Sequence, residues 1–206
     1  MKTFDAVFLL SIFISFINCL RREICRSSLF RIFVPDFLEM IETKIEYPNG
    51  GKIDVYKLVD ISASDYKNVF ACCDYFAQQG AHVIIYPRFV DTIGNPIYEA
   101  IFSSLKGTQY WGKCPDFTVN GVWYEHEGYD ITKDLTDRKK RADTFCKMMK
   151  RGVKQSDRII VEDCRVGRFF AKHIIYNRIH FEHQNINEVY IRTDNGLELL
   201  HKKQED

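Results

Sequence analysis

The dipeptide Asn120-Gly121 constrains this chain more than any other feature, because it lies between two runs of β-forming residues, Phe117-Thr118-Val119 and Val122-Trp123-Tyr124. A two-residue connection between antiparallel strands needs positive φ at both central positions, which Asn and Gly tolerate best. Such a turn sets the register. Val119 faces Val122, and three residues further out Asp116 lies opposite Glu125. Side chains alternate along a strand, so Trp123, Glu125 and Glu127 share one face, with Tyr124 and His126 on the other.

The rest of the chain alternates between β and α signals. Ile41 to Tyr47 and Lys52 to Asp60 are β-rich runs around Pro48-Asn49-Gly50-Gly51, a second hairpin signal. Ser62 and Asp65 read as a capping pair for a helix with Tyr66, Val69, Phe70, Cys73, Phe76 and Ala77 on its inner face, closed by Gly80. In that helix one member of Cys72-Cys73 is expected to face the core. His82 to Tyr86 reads as a buried strand. Asn95-Pro96 opens a helix with Ile97, Ala100, Ile101 and Leu105 on one face. A longer amphipathic helix is expected from about Lys133 to Arg151, then a buried strand at Arg158 to Glu162. A helix around Phe169 to Ile179 follows, and a closing hairpin pairs Glu188 to Thr193 with Leu197 to His201. The sum is an α+β fold: a small antiparallel or mixed sheet flanked by amphipathic helices.

Residues 40–206 read as a single domain. Residues 1–39 read as a hydrophobic N-terminal segment, with Ala6 to Leu20 almost wholly apolar and Arg21, Arg22 and Arg26 after it. This run of 15 residues falls short of the ~20 that span a bilayer. It lacks a small-residue cleavage site, so the expectation is a packing helix, an anchor or a spurious extension ahead of Met40. Seven scattered cysteines, none in a Cys-x-x-Cys pair, argue for reduced thiols and a cytoplasmic setting. A net charge of +1 gives no global pull on nucleic acid or membrane, so any such signal must be local.

Two local clusters stand out. Asp116, Glu125 and Glu127 crowd one end of the hairpin, and like charges facing each other across a sheet call for a cation, a metal or a proton. Between Lys133 and Arg158, ten Lys/Arg face four Asp. Arg138, Lys139, Arg141, Lys147, Lys150, Arg151 and Arg158 are the candidate phosphate-binding residues. His126, beside the acids, could serve as a base. The sequence has no phosphate-cradling glycine loop and no nucleophile elbow.

Read in order, Gln79-Gly80-Ala81-His82-Val83-Ile84-Ile85-Tyr86-Pro87, Gly112 to Gly121, Glu125 and Lys154 to Val161 resemble the barnase–EndoU–colicin–RelE group of ribonucleases. The likeness is greatest to the tRNA-cleaving C-terminal domains of contact-dependent growth-inhibition toxins, and it spans about 64–203. It implies metal-independent cleavage of RNA, possession of no cofactor, tRNA as substrate, and an immunity-type protein as partner. Carried over by position, it implies Asp116 and Glu125 as hairpin acids, with Glu127 beside them. Lys154 and Gln155 then match the polar pair at the helix end, and Arg192 and Thr193 match the closing hairpin. Many relatives have Glu-x-Lys where this chain has Glu125-His126-Glu127.

Pro115-Asp116 followed by Glu125-x-Glu127 also resembles the signature of PD-(D/E)XK metal-dependent nucleases, again without its lysine. That likeness implies Mg²⁺ held by Asp116 and Glu125. A non-catalytic nucleic-acid-binding or accessory protein is the third reading.

Overall fold

The computed structural model describes residues 40–204 except 131, 133 and 134, so the N-terminal segment lies outside the described residues. The chain is α+β, with one eight-stranded mixed sheet whose strands lie side by side in chain order. The strands are β1 (Ile41–Glu46), β2 (Lys52–Tyr56), β3 (His82–Ile85), β4 (Phe117–Val119), β5 (Val122–Glu127), β6 (Arg158–Glu162), β7 (Glu188–Thr193) and β8 (Gly196–Lys202). The helices are α1 (Tyr66–Ala77), α2 (Pro96–Ile101), α3 (Arg138–Gly152) and α4 (Arg168–His180).

Three neighbouring pairs are parallel: β2 with β3, β5 with β6, and β6 with β7. With the antiparallel pairs β3/β4 and β4/β5 between them, strands β2, β3, β5, β6 and β7 all point the same way. Each parallel pair is joined by a helix, as a parallel connection requires. Helix α1 links β2 to β3, α3 links β5 to β6, and α4 links β6 to β7.

Two cores result, one on each face of the sheet. On one face Val69, Cys72, Cys73 and Phe76 of α1 pack on Ile53, Val83, Phe117, Tyr124 and Ile160. Both Cys72 and Cys73 are fully buried, not one of them. On the other, Phe145, Met148 and Met149 of α3 and Ala171, Ile174 and Ile175 of α4 cover Ile159, Val161, Val189 and Ile191. Between β4 and β5, Asn120 and Gly121 sit at φ 50° and 80°, and Val119 faces Val122.

Several elements differ from expectation. Strand β2 stops at Tyr56 and residues 57–60 turn instead. Ser62 does not cap α1: it bonds Asp60, and Asp65 at the N-cap makes no side-chain cap bond because its carboxylate is taken by Arg88. Helix α2 has six residues, followed by a 3-10 turn at Ser103–Leu105. Its buried face is Tyr98, Ile101, Phe102 and Leu105, set by stacking of Tyr98 on Phe102 and of Phe102 on Trp123. Helix α3 begins at Arg138, where the Asp137 carboxylate accepts the Lys139 N–H at 2.6 Å. Lys133, its expected start, lies outside the described residues. No helix among the described residues is long and apolar enough to cross a membrane.

Candidate active site

The sheet parts in its middle, and the parting makes the site. Strand β5 pairs with β4 only through Val122–Tyr124 and with β6 only through Glu125–Glu127. Beyond Phe117 the β4 chain diverges, so among the described residues the β5 edge at Glu125–Glu127 has no strand beside it on that side. The Asp116 side chain occupies part of the gap: its Oδ2 accepts the His126 backbone N–H at 2.9 Å. On the opposite edge Ser156 Oγ donates to the Trp123 carbonyl at 3.0 Å.

A cleft of ≈ 1410 Å³ opens over this gap, at the carboxyl ends of β3, β5, β6 and β7. This is the end of a parallel arrangement where ligands usually bind, because the strands diverge there and loops wall the space. Cations and acids from separate elements meet in it. Arg88, just past β3, reaches Asp116 Oδ1 with Nη2 at 2.8 Å and Asp65 with Nη1 at 2.7 Å. Arg151 of α3 donates through Nε to Glu127 Oε2 at 2.7 Å and through Nη2 to the Gly128 carbonyl at 2.6 Å. Across the β5 edge, Glu162 Oε1 receives His126 Nε2 at 2.7 Å and Arg192 Nε at 2.6 Å. Arg192 in turn donates to Asn68 of α1 at 2.8 Å.

Glu125 is the exception. It is buried, and its Oε2 has no hydrogen-bond partner among the described residues. Burial, then the charges of Asp116 and Glu127, push its pKa well above the ordinary carboxylate range; Arg88 opposes them only in part. Glu127 is raised as well, by burial, although Arg151 offsets much of that effect. Burial would raise Glu162 too, but the hydrogen bonds from His126 and Arg192 outweigh it and leave the carboxyl below its usual value. The result is one uncompensated acid between two compensated ones.

Of the residues singled out from sequence, Glu125, Glu127, Gln155, Lys147, Arg151 and Arg192 line the cleft, and Asp116 supports it from beneath. Gln155 brings a buried Oε1 without a partner. The others stand apart. Lys150 and Lys154 are exposed outside the cleft lining, and Thr193 spends its hydroxyl on the β7–β8 turn through the Gly196 carbonyl. Arg158 pairs with Asp157 at the far end of β6. Arg141 is tied to the carbonyls of Leu135 and Thr136, while Arg138 and Lys139 line a separate groove. Sequence reasoning missed Arg88, Glu162, Asn68 and Lys113 as cleft residues. Arg88 and Glu162 carry a usable signal, since each sits at or just past the carboxyl end of a buried strand.

Among the described residues no three acids, histidines or cysteines gather closely enough to hold a metal by themselves. The pair Asp116 and Glu125 has the donor chemistry a hard cation such as Mg²⁺ takes, although Asp116 already spends Oδ1 on Arg88 and Oδ2 on the His126 N–H. Its donors are all oxygen, one of them is buried and unpartnered, and Mg²⁺ needs only one or two carboxylates when phosphate and water complete its shell. Compared with known proteins, the chain matches no family model, no curated protein and no solved structure.

Proposed function

We propose that the cleft is the active site of a nuclease that cleaves phosphodiester bonds with the help of a divalent cation. The observation that carries this reading is Glu125, a buried, unpartnered carboxylate flanked by Asp116 and Glu127 and walled by cations. Uncompensated acids of this kind concentrate where a protein handles protons or metal ions. Asp116 and Glu125 would hold the ion, whose chemistry is to ease ionisation of a water and offset charge on the phosphoryl oxygens. Asp116 is already oriented for this by the His126 N–H and by Arg88.

The chain's own residues then do the binding. Lys113, Lys140 and Lys147 line the cleft and present positive charge to a polyanionic backbone. Arg88 and Arg151 stay bonded to Asp116 and Glu127 and hold those acids in place. Gln155 offers its unpartnered Oε1 to a donor in the cleft, such as an attacking water or a sugar hydroxyl.

The raised carboxyl of Glu125 favours a second reading, in which it serves alone as general base in metal-independent cleavage of RNA, including tRNA, as in the barnase–EndoU–colicin–RelE group. The metal-assisted reading is preferred because the two nearest guanidiniums are committed to acids, leaving phosphate charge to be offset by something else. Incubation of the full chain with tRNA, unstructured RNA and DNA, with Mg²⁺ or with EDTA, separates the readings. Cleavage that stops in EDTA and in Asp116→Asn supports the proposal. Cleavage unaffected by EDTA transfers the role to Glu125 alone. Binding without cleavage in any condition removes the enzymatic reading.

A further inference from the structure

The solvent face of α4 is aromatic, where an amphipathic helix ordinarily puts charge. Its inner face is accounted for by Ala171, Ile174, Ile175 and Arg178, all buried. Outside it, Phe169 is 89% exposed, Tyr176 is 53% exposed, and Phe181 just past the helix is 72% exposed. Phe169, Lys172, His173, Tyr176 and His180 follow the spacing of one helical stripe. Tyr176 lies 4.2 Å from the His180 ring and 6.3 Å from that of Phe181, centroid to centroid.

Lys172 lies on the stripe and Arg165 and Arg168 flank its N-terminal end, while Arg178 belongs to the buried inner face. From Arg165 to His183 the chain carries Arg165, Arg168, Lys172 and Arg178, with Glu182 as the one acid and histidines at 173, 180 and 183. Glu182 is paired to Arg178 at 3.1 Å, and Glu198 of β8 to Arg168 at 2.6 Å. At the N-terminal end of α4 a groove of ≈ 460 Å³ runs toward α3, with Ala142, Val166 and Phe170 as its apolar walls and Arg138, Lys139 and the acid Asp137 on its rim. Neither cation belongs to the catalytic cleft.

We infer that this face of α4, with the groove beside it, binds single-stranded nucleic acid, the exposed rings stacking on bases while Arg138, Lys139 and Lys172 meet phosphates. Rings with interleaved cations are the combination that holds unpaired strands, since every base offers a π-face and every linkage a charge. A base-paired duplex hides those faces, and an apolar protein partner would have no use for the cations. Phe169 and Tyr176 are seven residues apart, about 10 Å along the axis. That is close to three base steps at ~3.4 Å each, so one short strand can touch both rings. The inference deepens the nuclease reading by naming an unpaired flank of the substrate, and it rests on that reading only for the expectation that the ligand is nucleic acid.

The test is equilibrium binding of the full chain to a fluorescein-labelled 12-nucleotide oligo-uridylate and to a 12-base-pair duplex, by anisotropy in EDTA. The expected result is preference for the single strand, with Phe169→Ala and Tyr176→Ala each weakening it by roughly 5- to 100-fold. Melting temperature should stay put, because both rings are exposed. Ring variants that bind as the parent does, equal affinity for the duplex, or no binding at low salt would each overturn the inference. So would sedimentation showing a parent dimer that Phe169→Ala dissociates, since the rings would then serve a second copy. A cleavage assay of the parent keeps the two questions apart. Loss of strand binding by the ring variants with no cleavage by the parent upholds this surface and removes the nuclease reading; cleavage with unaltered ring variants does the reverse.

Discussion

Replacing Glu125 by Gln tests both the electrostatics and the chemistry of the cleft. The parent carboxyl is buried beside Asp116 and Glu127, with Oε2 unpartnered and its pKa raised in the folded protein above the unfolded value, burial being the largest cause. For an acid raised on folding, the native state holds a proton the unfolded chain has released. Stability is therefore full below the unfolded pKa and is lost as pH climbs toward the folded one. Gln keeps the shape and cannot ionise, so it removes that loss. A charged buried group without a partner costs at least the ~1–3 kcal/mol of a neutral one. Each kcal/mol is worth about 2–4 °C for a unit of this size. Glu125→Gln should thus melt roughly 2–12 °C above the parent at pH 8, and at the parent's temperature at pH 4. Scanning fluorimetry from pH 4 to pH 8.5 in EDTA reads this directly. In Mg²⁺ the parent should regain the difference through binding, by about 2.7 kcal/mol at a hundredfold excess over Kd, while the variant should not. Cleavage should fall ~10²-fold or more. A variant less stable than the parent at pH 8, or one with the same pH dependence, would refute the reasoning about Glu125. Undiminished cleavage would remove it from the site.

Other changes give sharp expectations. Lys113→Gln with Lys147→Gln should flatten the log–log salt dependence of RNA binding by about 0.7 per lost contact, whereas Lys150→Gln with Lys154→Gln should leave the slope alone. Gly51→Ala should destabilise severely, by roughly 3 kcal/mol or more in urea titration, because the new Cβ would lie 1.9 Å from the Ala77 carbonyl oxygen. Tyr124→Phe removes the 2.6 Å hydrogen bond to buried Glu188 and should cost about 1–3 kcal/mol, seen as a lower urea midpoint at unchanged m-value. Arg192→Lys should weaken the grip on Glu162 and Asn68 and lower activity more than stability, because a single ammonium cannot serve both partners with a guanidinium's geometry.

What this sequence determined by itself was local. Asn120 and Gly121 accept the positive φ of a tight turn, so the face shared by Trp123, Glu125 and Glu127 follows from strand alternation, as does the apolar inner stripe of α1 from helical spacing. The acids at the hairpin end and the excess of cations after Lys133 were legible for the same reason, each being a property of a short segment. Only the tertiary structure decided which strands lie parallel, because a helical crossover leaves no mark that separates a parallel partner from an antiparallel one. That arrangement brings the carboxyl ends of β3, β5, β6 and β7 together, and with them Arg88, Glu162 and Arg192, whose partners lie 23 to 124 residues away along the chain. It also sorted the basic helix, turning Lys147 and Arg151 toward the acids and Lys150 and Lys154 away from them. Even Asp65, a capping residue by its place in the sequence, was drawn into the site, because a nearby guanidinium is a stronger partner than a backbone N–H.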